Sequence, residues 1–563
     1  MQRHRSTTWT TRSWVLLAVL AMFATACGGN DDDGGDAAPG TEGDNGAETT
    51  ETTVEDAGDP VEGGSITVGL EAETNNWLPG QGNFSNPGIN VALAIYDPLM
   101  RRNPEGEPTP YLAESLEPNE ALDEWTLTLR PDVVFHDDTP LNAEAIKTIF
   151  DDYIKADDSN LAGQVVDVES VDVVDDLTVV YRLSGPNAAF ASVLTGAVGW
   201  PFSPTAAAEA GADAGSRPVG TGPFVFGEWQ RDNRLTVTKN ESYWQQGLPY
   251  LDQIVFRPIP DEDTRISSLG TGDIDVLQSL RQSAIVRARD VQDVVSHEHV
   301  GNNSGSAIFN TAQPPLDDVR VRRALAYALD QDQLIDVLGG AGITPPQTQY
   351  FGDESPFYSE AAAEEWPTND PEQAMQLIDE YTSDPNRSDG KAAGDPVTFV
   401  FDCPPDPSLI ELSQLYQAFW ESIGVQVDLN QVEQATHINE ALAGDFDSKC
   451  WRVSDEDDPY IIFSEAFGPE SPLNFTNFTD PAITEQLEVL RTTTDIDERK
   501  AAVEEISLVL AENVPNTFTA GTLTTLAARD AVKNIPGWTF PDGSEGEGVI
   551  GGTTMWGHVW LAE

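Results

Sequence analysis

Apolar and polar residues follow two different periods along the chain, one typical of strands and one typical of helices. In the first half, strict alternation predicts short half-buried strands over 63–69, 125–130, 171–174, 177–183, 235–238 and 254–256. Helical spacing indicates a segment at 90–100 and a helix over 143–150, which begins after the capping side chain of Asn142. The first half is therefore predicted to be rich in strands.

The pattern changes after about residue 312, where helical spacing predominates. It predicts helices over 319–329, 330–338, 408–423, 481–492 and 496–513 and strands over 397–401 and 425–429. The two strands flank a helix, which is the parallel strand-helix-strand arrangement. The pattern predicts two α/β lobes followed by a loose acidic piece at 542–548.

Length and charge narrow the class of protein. A chain of 563 residues exceeds the size at which one core stops growing, which agrees with two lobes. With 30 basic and 95 acidic residues the net charge is −65, which excludes binding to nucleic acid or to an anionic lipid surface. Self-repulsion of this size predicts that stability rises with salt, and adaptation to a saline habitat is one explanation.

The N-terminus has the order of a secretory signal. Arg3, Arg5 and Arg12 precede a short apolar run and the small residues before Cys27, after which residues 28–62 are acidic and almost free of large apolar side chains. The site resembles a bacterial lipobox, which implies cleavage after residue 26 and lipidation of Cys27. Ordinary cleavage at Ala26 with a free product is the alternative. The prediction is a signal peptide over 1–26, a disordered tether over 27–62 and membrane contact through the lipid alone.

Motifs for catalysis and cofactor binding are missing from the sequence. No nucleophile elbow, phosphate-binding loop or dinucleotide fingerprint occurs, so no enzyme activity and no cofactor are predicted. A strand over 294–300 would place His297 and His299 on one face and Glu298 on the other, so solvated histidines are favoured there over a metal site.

A series of sequence blocks resembles one family of proteins in both content and order. The blocks cover 95–99, 110–115, 127–130, 135–144, 218–224, 243–244, 264–265, 272–275, 309–310, 317–325 and 423–425. Together they resemble the extracellular solute-binding proteins of peptide, opine and nickel ABC importers, called family 5, over residues 63–563. Asp138 stands where that family usually has Gly, and the segment 451–459 has Trp451 one residue farther from its first Asp.

The resemblance implies an α/β fold with two lobes of the periplasmic-binding-protein type, class II or cluster C, and an extra strand-rich subdomain in the first lobe. We expect the first lobe over 63–302, its subdomain over about 98–217, the second lobe over 303–530 and a return to the first lobe over 531–563. Most blocks are interpreted as structural, including the turn at Gly220 and Gly222. Arg320 and Arg322 are expected to be solvated or paired on a helix face.

The loop 451–459 is the best candidate for ligand contact, because it follows a strand and ligands bind at the carboxyl ends of α/β strands. In peptide-binding members an Asp of this segment holds the ammonium group of the ligand. The predicted ligand-binding residues are Asp455, Asp457, Trp451, Asn310 and Trp77. Cys403 and Cys450 end predicted strands, and both a disulfide and two buried thiols remain open.

The implied function is capture of a short peptide or similar solute outside the cell, between two lobes that close on it. Delivery to ABC permease subunits follows, and the protein is expected to be a monomer on the outer face of the cytoplasmic membrane or in the periplasm. A nickel chelate, a sugar or an opine is the alternative ligand. A secreted peptide hydrolase is the alternative from another class, although the sequence shows no nucleophile or metal for it.

Overall fold

Alternating apolar residues build the strands and amphipathic segments build the helices of this α/β protein. The computed structural model describes residues 58–155, 159–340, 342–353, 355–405, 407–453 and 458–562. The predicted signal peptide, Cys27, most of the tether, Asp455 and Asp457 lie outside these residues. No helix in the described ranges is both long and apolar enough to cross a membrane.

The strands follow in chain order. They are β1 Ser65–Leu70, β2 Met100–Arg102, β3 Pro108–Pro110, β4 Ala113–Pro118, β5 Glu124–Leu129, β6 Val168–Val173, β7 Thr178–Leu183, β8 Phe224–Gln230, β9 Arg234–Lys239, β10 Gln253–Pro258, β11 Val276–Ser279, β12 Val294–Phe309, β13 Thr398–Cys403, β14 Gln426–Gln431, β15 Ser448–Val453, β16 Gly521–Arg529, β17 Val532–Lys533 and β18 Trp560–Leu561.

The helices connect and cover these strands. They are α1 Asn86–Ile95, α2 Ala143–Lys155, α3 Phe190–Val193, α4 Pro204–Ala210, α5 Glu262–Thr271, α6 Gln282–Arg289, α7 Val319–Tyr327, α8 Gln331–Val337, α9 Glu360–Glu365, α10 Pro371–Ser383, α11 Pro407–Ser422, α12 Gln434–Ala443, α13 Pro459–Phe467, α14 Pro481–Thr492 and α15 Ile496–Asn513. Short 3₁₀ turns lie at Ala197–Gly199, Gly211–Ser216 and Trp556–His558.

One ten-stranded sheet runs through the molecule in the order β14-β13-β15-β12-β16-β11-β1-β10-β9-β8. The strands β1, β10 and β11 are parallel to one another, as are β13, β14 and β15. A separate antiparallel sheet has the order β4-β5-β7-β6. The mixed architecture confirms the predicted α/β class.

Two large hydrophobic cores divide the sheet between them. The first draws on residues between 66 and 276 and again between 526 and 559, and the second on residues between 307 and 518. We call the parts built around them the first lobe and the second lobe. The boundaries expected from the sequence, at 302/303 and 530/531, stay a prediction.

Sequence blocks distant along the chain meet inside the first lobe. The buried carboxylate of Asp97 accepts hydrogen bonds from the Tyr243 hydroxyl at 3.0 Å and from Trp244 Nε1 at 2.8 Å. A Cβ atom on Gly220 would lie 2.2 Å from the carbonyl oxygen of Ile95, so only glycine allows this close approach. These blocks serve packing.

Two expectations about charged residues are wrong. Arg322 is 3% exposed and donates to the carbonyl oxygens of Asn513, Leu316 and Asp317, so it is buried rather than solvated. The acidic piece at 542–548 is not loose, because the side chain of Glu547 lies 2.7 Å from Arg101 and is 9% exposed. Trp538 Nε1 also donates to the carbonyl oxygen of Gly548. Distant partners satisfy these polar groups.

Candidate functional site

The carboxyl ends of the two sets of parallel strands face each other. Strand β12 runs antiparallel to both β15 and β16, and β16 runs antiparallel to β11. The strands of the two lobes therefore point in opposite directions, with β12 and β16 passing between the lobes. Val453, the last residue of β15, pairs with Ser304 on β12. Ser279, the last residue of β11, pairs with Thr525 of β16, which in turn pairs with Glu298 on β12. Six residues of strand, roughly 20 Å, separate the two edges.

Glycine forms the middle of this crossing. The register of β12 and β16 shifts between Gly301 and Ser304. A Cβ atom on Gly521 would lie 2.5 Å from the carbonyl oxygen of Gly301, so the two strands approach more closely than a side chain permits. The crossing forms the floor between the facing edges.

Glu71 follows β1 directly and organises the edge of the first lobe. Its carboxylate accepts hydrogen bonds from Ser279 Oγ at 3.2 Å and from the Leu280 amide at 3.1 Å. The fully buried side chain of Arg265 lies 3.6 Å from it. Burial lowers the pKa of Arg265, and the charge of Glu71 opposes that shift. The ends of β1 and β11 are thus fixed to each other.

A depression of about 450 Å³ opens at this edge. It is lined by residues 71–75, by Arg231 and Asp232 of the β8–β9 turn, and by Pro258 and Pro260 after β10. Arg231 lies 4.2 Å above the centre of the Trp229 ring, and Glu73 accepts a hydrogen bond from Trp229 Nε1 at 2.8 Å. Carboxylates and one guanidinium therefore line an open, polar recess.

A disulfide and an ion-pair cluster fix the edge of the second lobe. Cys403 and Cys450 are bonded to each other and join β13 to β15. One residue earlier on β15, the fully buried Lys449 lies 2.9 Å from the Glu440 carboxylate and 3.2 Å from that of Asp402. The charge of the lysine is therefore paired on both sides.

Trp451 is half-buried in a small aromatic cluster at this edge. Its ring stacks on His437 with centroids 5.7 Å apart and meets the edge of Phe475 at 4.8 Å. His437 Nε2 donates to the carbonyl oxygen of Cys450 at 3.0 Å, and burial lowers the pKa of this histidine. Trp451 presents a rigid apolar surface beside the predicted ligand loop.

Asn310 is buried, and both ends of its side-chain amide form hydrogen bonds with other groups of the protein. Its amide nitrogen donates to the carbonyl oxygens of Gly444 and Phe446, at 3.1 and 2.9 Å. Its amide oxygen accepts from the Ala312 amide and from Asn477 Nδ2. The side chain joins three loops, and a direct ligand contact by Asn310 stays a prediction.

Trp77 lies in the core of the first lobe. It is 1% exposed and its ring packs against Trp229 at 5.5 Å and Phe84 at 6.5 Å. Trp229 also supports Arg231 at the recess, so Trp77 lies one layer behind the first-lobe edge. The structure places Trp77 and Trp451 in different lobes.

The predicted ammonium-binding residues Asp455 and Asp457 are outside the described residues, although the helix that follows them is described. The Asp458 carboxylate accepts a hydrogen bond from the Tyr460 amide at the start of α13. Arg499 of α15 forms an ion pair with the same carboxylate. The loop therefore ends at a firmly held helix N-terminus.

His297 and His299 lie on β12, where burial lowers the pKa of each to about 4. His299 Nδ1 accepts a hydrogen bond from the Gly551 amide at 3.4 Å. Within the described ranges, no group of three or more His, Cys, Asp or Glu side chains is placed to hold a metal ion. At neutral pH both imidazoles are uncharged.

The sequence analysis missed the first-lobe edge, namely Glu71, Glu73 and Arg231. Glu71 comes two residues after the strand predicted over 63–69, so the rule applied to Trp451 would also have pointed to it. Arg231 belongs to a hairpin turn whose position relative to β1 depends on sheet order, which the sequence did not show.

Comparisons with known proteins agree with this geometry. The model of the bacterial extracellular solute-binding proteins, family 5, matches residues 107–471. The glutathione-binding protein GsiB of Pectobacterium atrosepticum is 32% identical over 263 residues, which are 46% of this chain and 50% of that protein. The chain thus spans about half the length of the glutathione-binding relatives that it matches.

Two further matches extend over more of the chain. The dipeptide-binding protein of Escherichia coli K12 is 27% identical over 481 residues, which are 76% of this chain and 85% of that protein. The structure of DppA from Helicobacter pylori in complex with the peptide STSA superposes with a TM-score of 0.72 at 20% identity, covering 89% of this chain and 99% of that one. The latter match shows the fold.

Proposed function

Because the chain belongs to the bacterial extracellular solute-binding proteins of family 5, we propose that it is the substrate-binding component of an ABC importer and captures a short peptide or a similar solute. The family binds solutes, so the chain is not an enzyme. The observation that carries the proposal is the pair of strand edges that face each other across β12 and β16.

That arrangement suits capture by closure. A solute between the edges contacts both lobes only when they approach each other, so its binding favours the closed form. The crossing strands are the connection about which the lobes move. The lobe boundaries at 302/303 and 530/531 follow from this proposal.

The ligand carries a positive group. The acidic residues Asp455 to Asp458 come after β15 in the sequence. In a cleft at that edge, the attraction between an ammonium group and their carboxylates would be only weakly screened by solvent. Trp451 supplies an apolar wall beside it. Relatives named for glutathione and dipeptides support a peptide with a free amino terminus.

The mature protein is anchored through lipidated Cys27 to the outer face of the cytoplasmic membrane, or lies in the periplasm. It acts there as a monomer and delivers its ligand to permease subunits in the membrane. The small residues before Cys27 and the acidic stretch after it support the anchor. Replacing Cys27 with Ser should release the protein into the medium, and unchanged membrane association would contradict the anchor.

Ligand identity is tested on protein purified from its own cells. Mass spectrometry after mild denaturation identifies what is retained, and calorimetry then measures binding of glutathione and of the tetrapeptide Ser-Thr-Ser-Ala. Recovery of a peptide and binding of either probe with unchanged probe mass supports the proposal. A retained sugar or nickel chelate, with no binding of either probe, contradicts a peptide ligand.

The ammonium contact is tested by Asp455→Asn and Asp457→Asn. Removing one partner of a shielded ion pair costs a few kcal/mol, so at least one variant should bind the retained ligand roughly 10²-fold more weakly. Asp542→Asn is the matched control, because that carboxylate is exposed and accepts hydrogen bonds from the amide and the hydroxyl of Ser544. Binding of both loop variants within about twofold of the parent would exclude the contact.

A further inference from the structure

Away from the crossing strands, one contact between the two lobes is made by an arginine. Arg491 of α14 donates from Nε to the carbonyl oxygen of Pro186 at 2.7 Å. Its own carbonyl oxygen accepts a hydrogen bond from the Ala188 amide at 2.9 Å. Arg491 follows Leu490 of the second core, whereas Pro186 and Ala188 lie between Leu183 and Phe190 of the first. We call residues 184–189 the clasp loop.

The clasp loop is held within the first lobe by its own hydrogen bonds. The Ser184 amide donates to the Asp167 carbonyl oxygen, and the Asn187 amide donates to that of Leu122. Asn187 Oδ1 accepts from the Ala189 amide at 3.0 Å. The loop therefore presents the Pro186 carbonyl and the Ala188 amide in fixed positions, and these two groups bond to the second lobe.

Arg491 is likewise held in place, within the second lobe. It lies in the last turn of α14, whose carbonyl groups have no partner within the helix. The Ala188 amide satisfies one of these groups at the negative end of the helix dipole. Leu487 and Leu490 bury the inner face of α14 in the second core, so its last turn is anchored.

Glycine makes room for the contact. A Cβ atom on Gly185 would lie 2.6 Å from Arg491 Nη2. The guanidinium therefore lies close to the backbone of the clasp loop, and a side chain at position 185 displaces it. The fit involves both lobes.

The contact lies close to the start of α13. Burial raises the pKa of Tyr460 in the first turn of that helix, the charge of Arg491 opposes that shift, and the charge of Asp167 in the first lobe adds to it. The start of α13 is therefore near charged groups of both lobes.

We propose that Arg491 and the clasp loop form a clasp that holds the two lobes closed. The lobes are thus joined by covalent strands at β12 and β16 and by a reversible contact at Arg491. The retention of a solute by the clasp rests on the proposed function, whereas the clasp itself does not. Arg491 is a positioning residue, because it bonds to the opposite lobe.

Removing the arginine side chain should favour the open form by about tenfold or more, since a hydrogen bond from a charged donor is lost. Hydrogen exchange at single-residue resolution on the ligand-free full chain measures this directly. The Ala188 amide of Arg491→Ala should exchange at least about tenfold faster than in the parent. The Asn187 and Ala189 amides bond within the first lobe and should stay protected, which makes them internal controls.

Matched variants separate the clasp from general loss of charge or structure. Arg234→Ala removes an exposed arginine that pairs with Glu228 inside the first lobe, and exchange at Ala188 should not change. Arg491→Lys keeps a donor and should fall between the parent and Arg491→Ala. Gly185→Ala should accelerate exchange in the same direction from the opposite lobe. Unchanged exchange at Ala188 in both Arg491→Ala and Gly185→Ala would overturn the clasp.

Ligand kinetics test the consequence for retention. Stopped-flow mixing with Ser-Thr-Ser-Ala or glutathione should show release from Arg491→Ala about tenfold faster, with association within about twofold of the parent. Unchanged release of a probe that the parent binds would refute retention by the clasp. If neither probe binds the parent and the retained solute is a sugar or a nickel chelate, a peptide ligand is contradicted, while exchange at Ala188 still decides whether the clasp exists.

Discussion

The interiors of the two lobes are held by different chemistry. In the first lobe, the buried carboxylate of Asp97 accepts hydrogen bonds from the neutral donors Tyr243 and Trp244. In the second lobe, the disulfide between Cys403 and Cys450 and the buried charge of Lys449 hold adjacent strands. The first arrangement should therefore respond to pH, and the second to reductant and to loss of charge.

The difference teaches how a highly acidic chain builds a rigid interior. Burial raises the pKa of Asp97 to about 7, so this carboxyl group is easily protonated and needs no cation. In the second lobe, the buried Lys449 instead forms ion pairs with the two carboxylates of Asp402 and Glu440. The first arrangement is sensitive to pH, and the second is sensitive to loss of the lysine charge.

The largest effect is expected from Lys449→Met. It leaves Asp402 and Glu440 without their shared cation, and breaking a buried ion pair from one side costs about 3–5 kcal/mol. Chemical denaturation should show this loss of unfolding free energy. Lys147→Met is the control, because that lysine is partly exposed and pairs with Asp151 one turn along its own helix. It should change stability by about 0.5 kcal/mol or less. Equal losses of unfolding free energy in Lys449→Met and Lys147→Met would contradict the contrast between the lobes.

Removing the disulfide should have the next largest effect. Cys403 and Cys450 are separated by 47 residues, and a bridge of this kind stabilises by about 2–4 kcal/mol. Cys403→Ala with Cys450→Ala should lower the melting temperature and increase hydrogen exchange in β13 and β15. Exchange in β1 and β10 should stay as in the parent, and loss of protection in both lobes would contradict the separate cores.

The pH response of the first lobe should be smaller. Because the folded pKa of Asp97 is raised above its unfolded value, the folded state binds more protons between about pH 4 and pH 7, so stability falls as pH rises through that window. Asp97→Asn removes this dependence. The unfolding free energy of the parent relative to Asp97→Asn should fall by about 2 kcal/mol from about pH 5.5 to pH 8. A constant difference would show that Asp97 stays ionised throughout.

Salt should have the smallest effect and should act on both lobes alike. Self-repulsion at a net charge of −65 is screened as the Debye length falls from about 10 Å at 0.1 M salt to about 3 Å at 1 M. The melting temperature should rise over this range in the parent and in Lys449→Met. A chain lacking residues 28–62 gives the contribution of the folded part, and a flat or falling melting temperature in it argues against salt adaptation.

Much of the fold could be predicted because local patterns specify it. The helices predicted over 481–492 and 496–513 have those bounds in the structure, where Asp480 and Asp495 cap their starts. The helix predicted over 90–100 instead spans Asn86–Ile95, since Pro87 fits the first turn and Pro98 prevents continuation.

Long-range partners explain what could not be predicted. Strand β12 continues to Phe309 through Gly301 and Gly305 because Gly521 packs closely on Gly301, and periodicity alone does not show that neighbour. Glu547 finds Arg101 more than 400 residues away, so a segment with a loose composition is packed. At the candidate site, Trp451 was found because the strand before it was predicted to end at Cys450, although the structure places Trp451 on β15. The position of Arg231 relative to β1 depends on sheet order, which periodicity does not show.

The return of the chain to the first lobe determines the order in which the molecule can be completed during synthesis. Asn90 Nδ2 donates to the carbonyl oxygen of Gly552, and Trp556 Nε1 donates to that of Asn90. Trp538 and Trp556 belong to the first core, whereas the second core is complete by residue 518. The lobe that is translated first must therefore wait for its last packing partners until the other lobe has been made, and apolar surface of α1 stays open to chaperones throughout that interval.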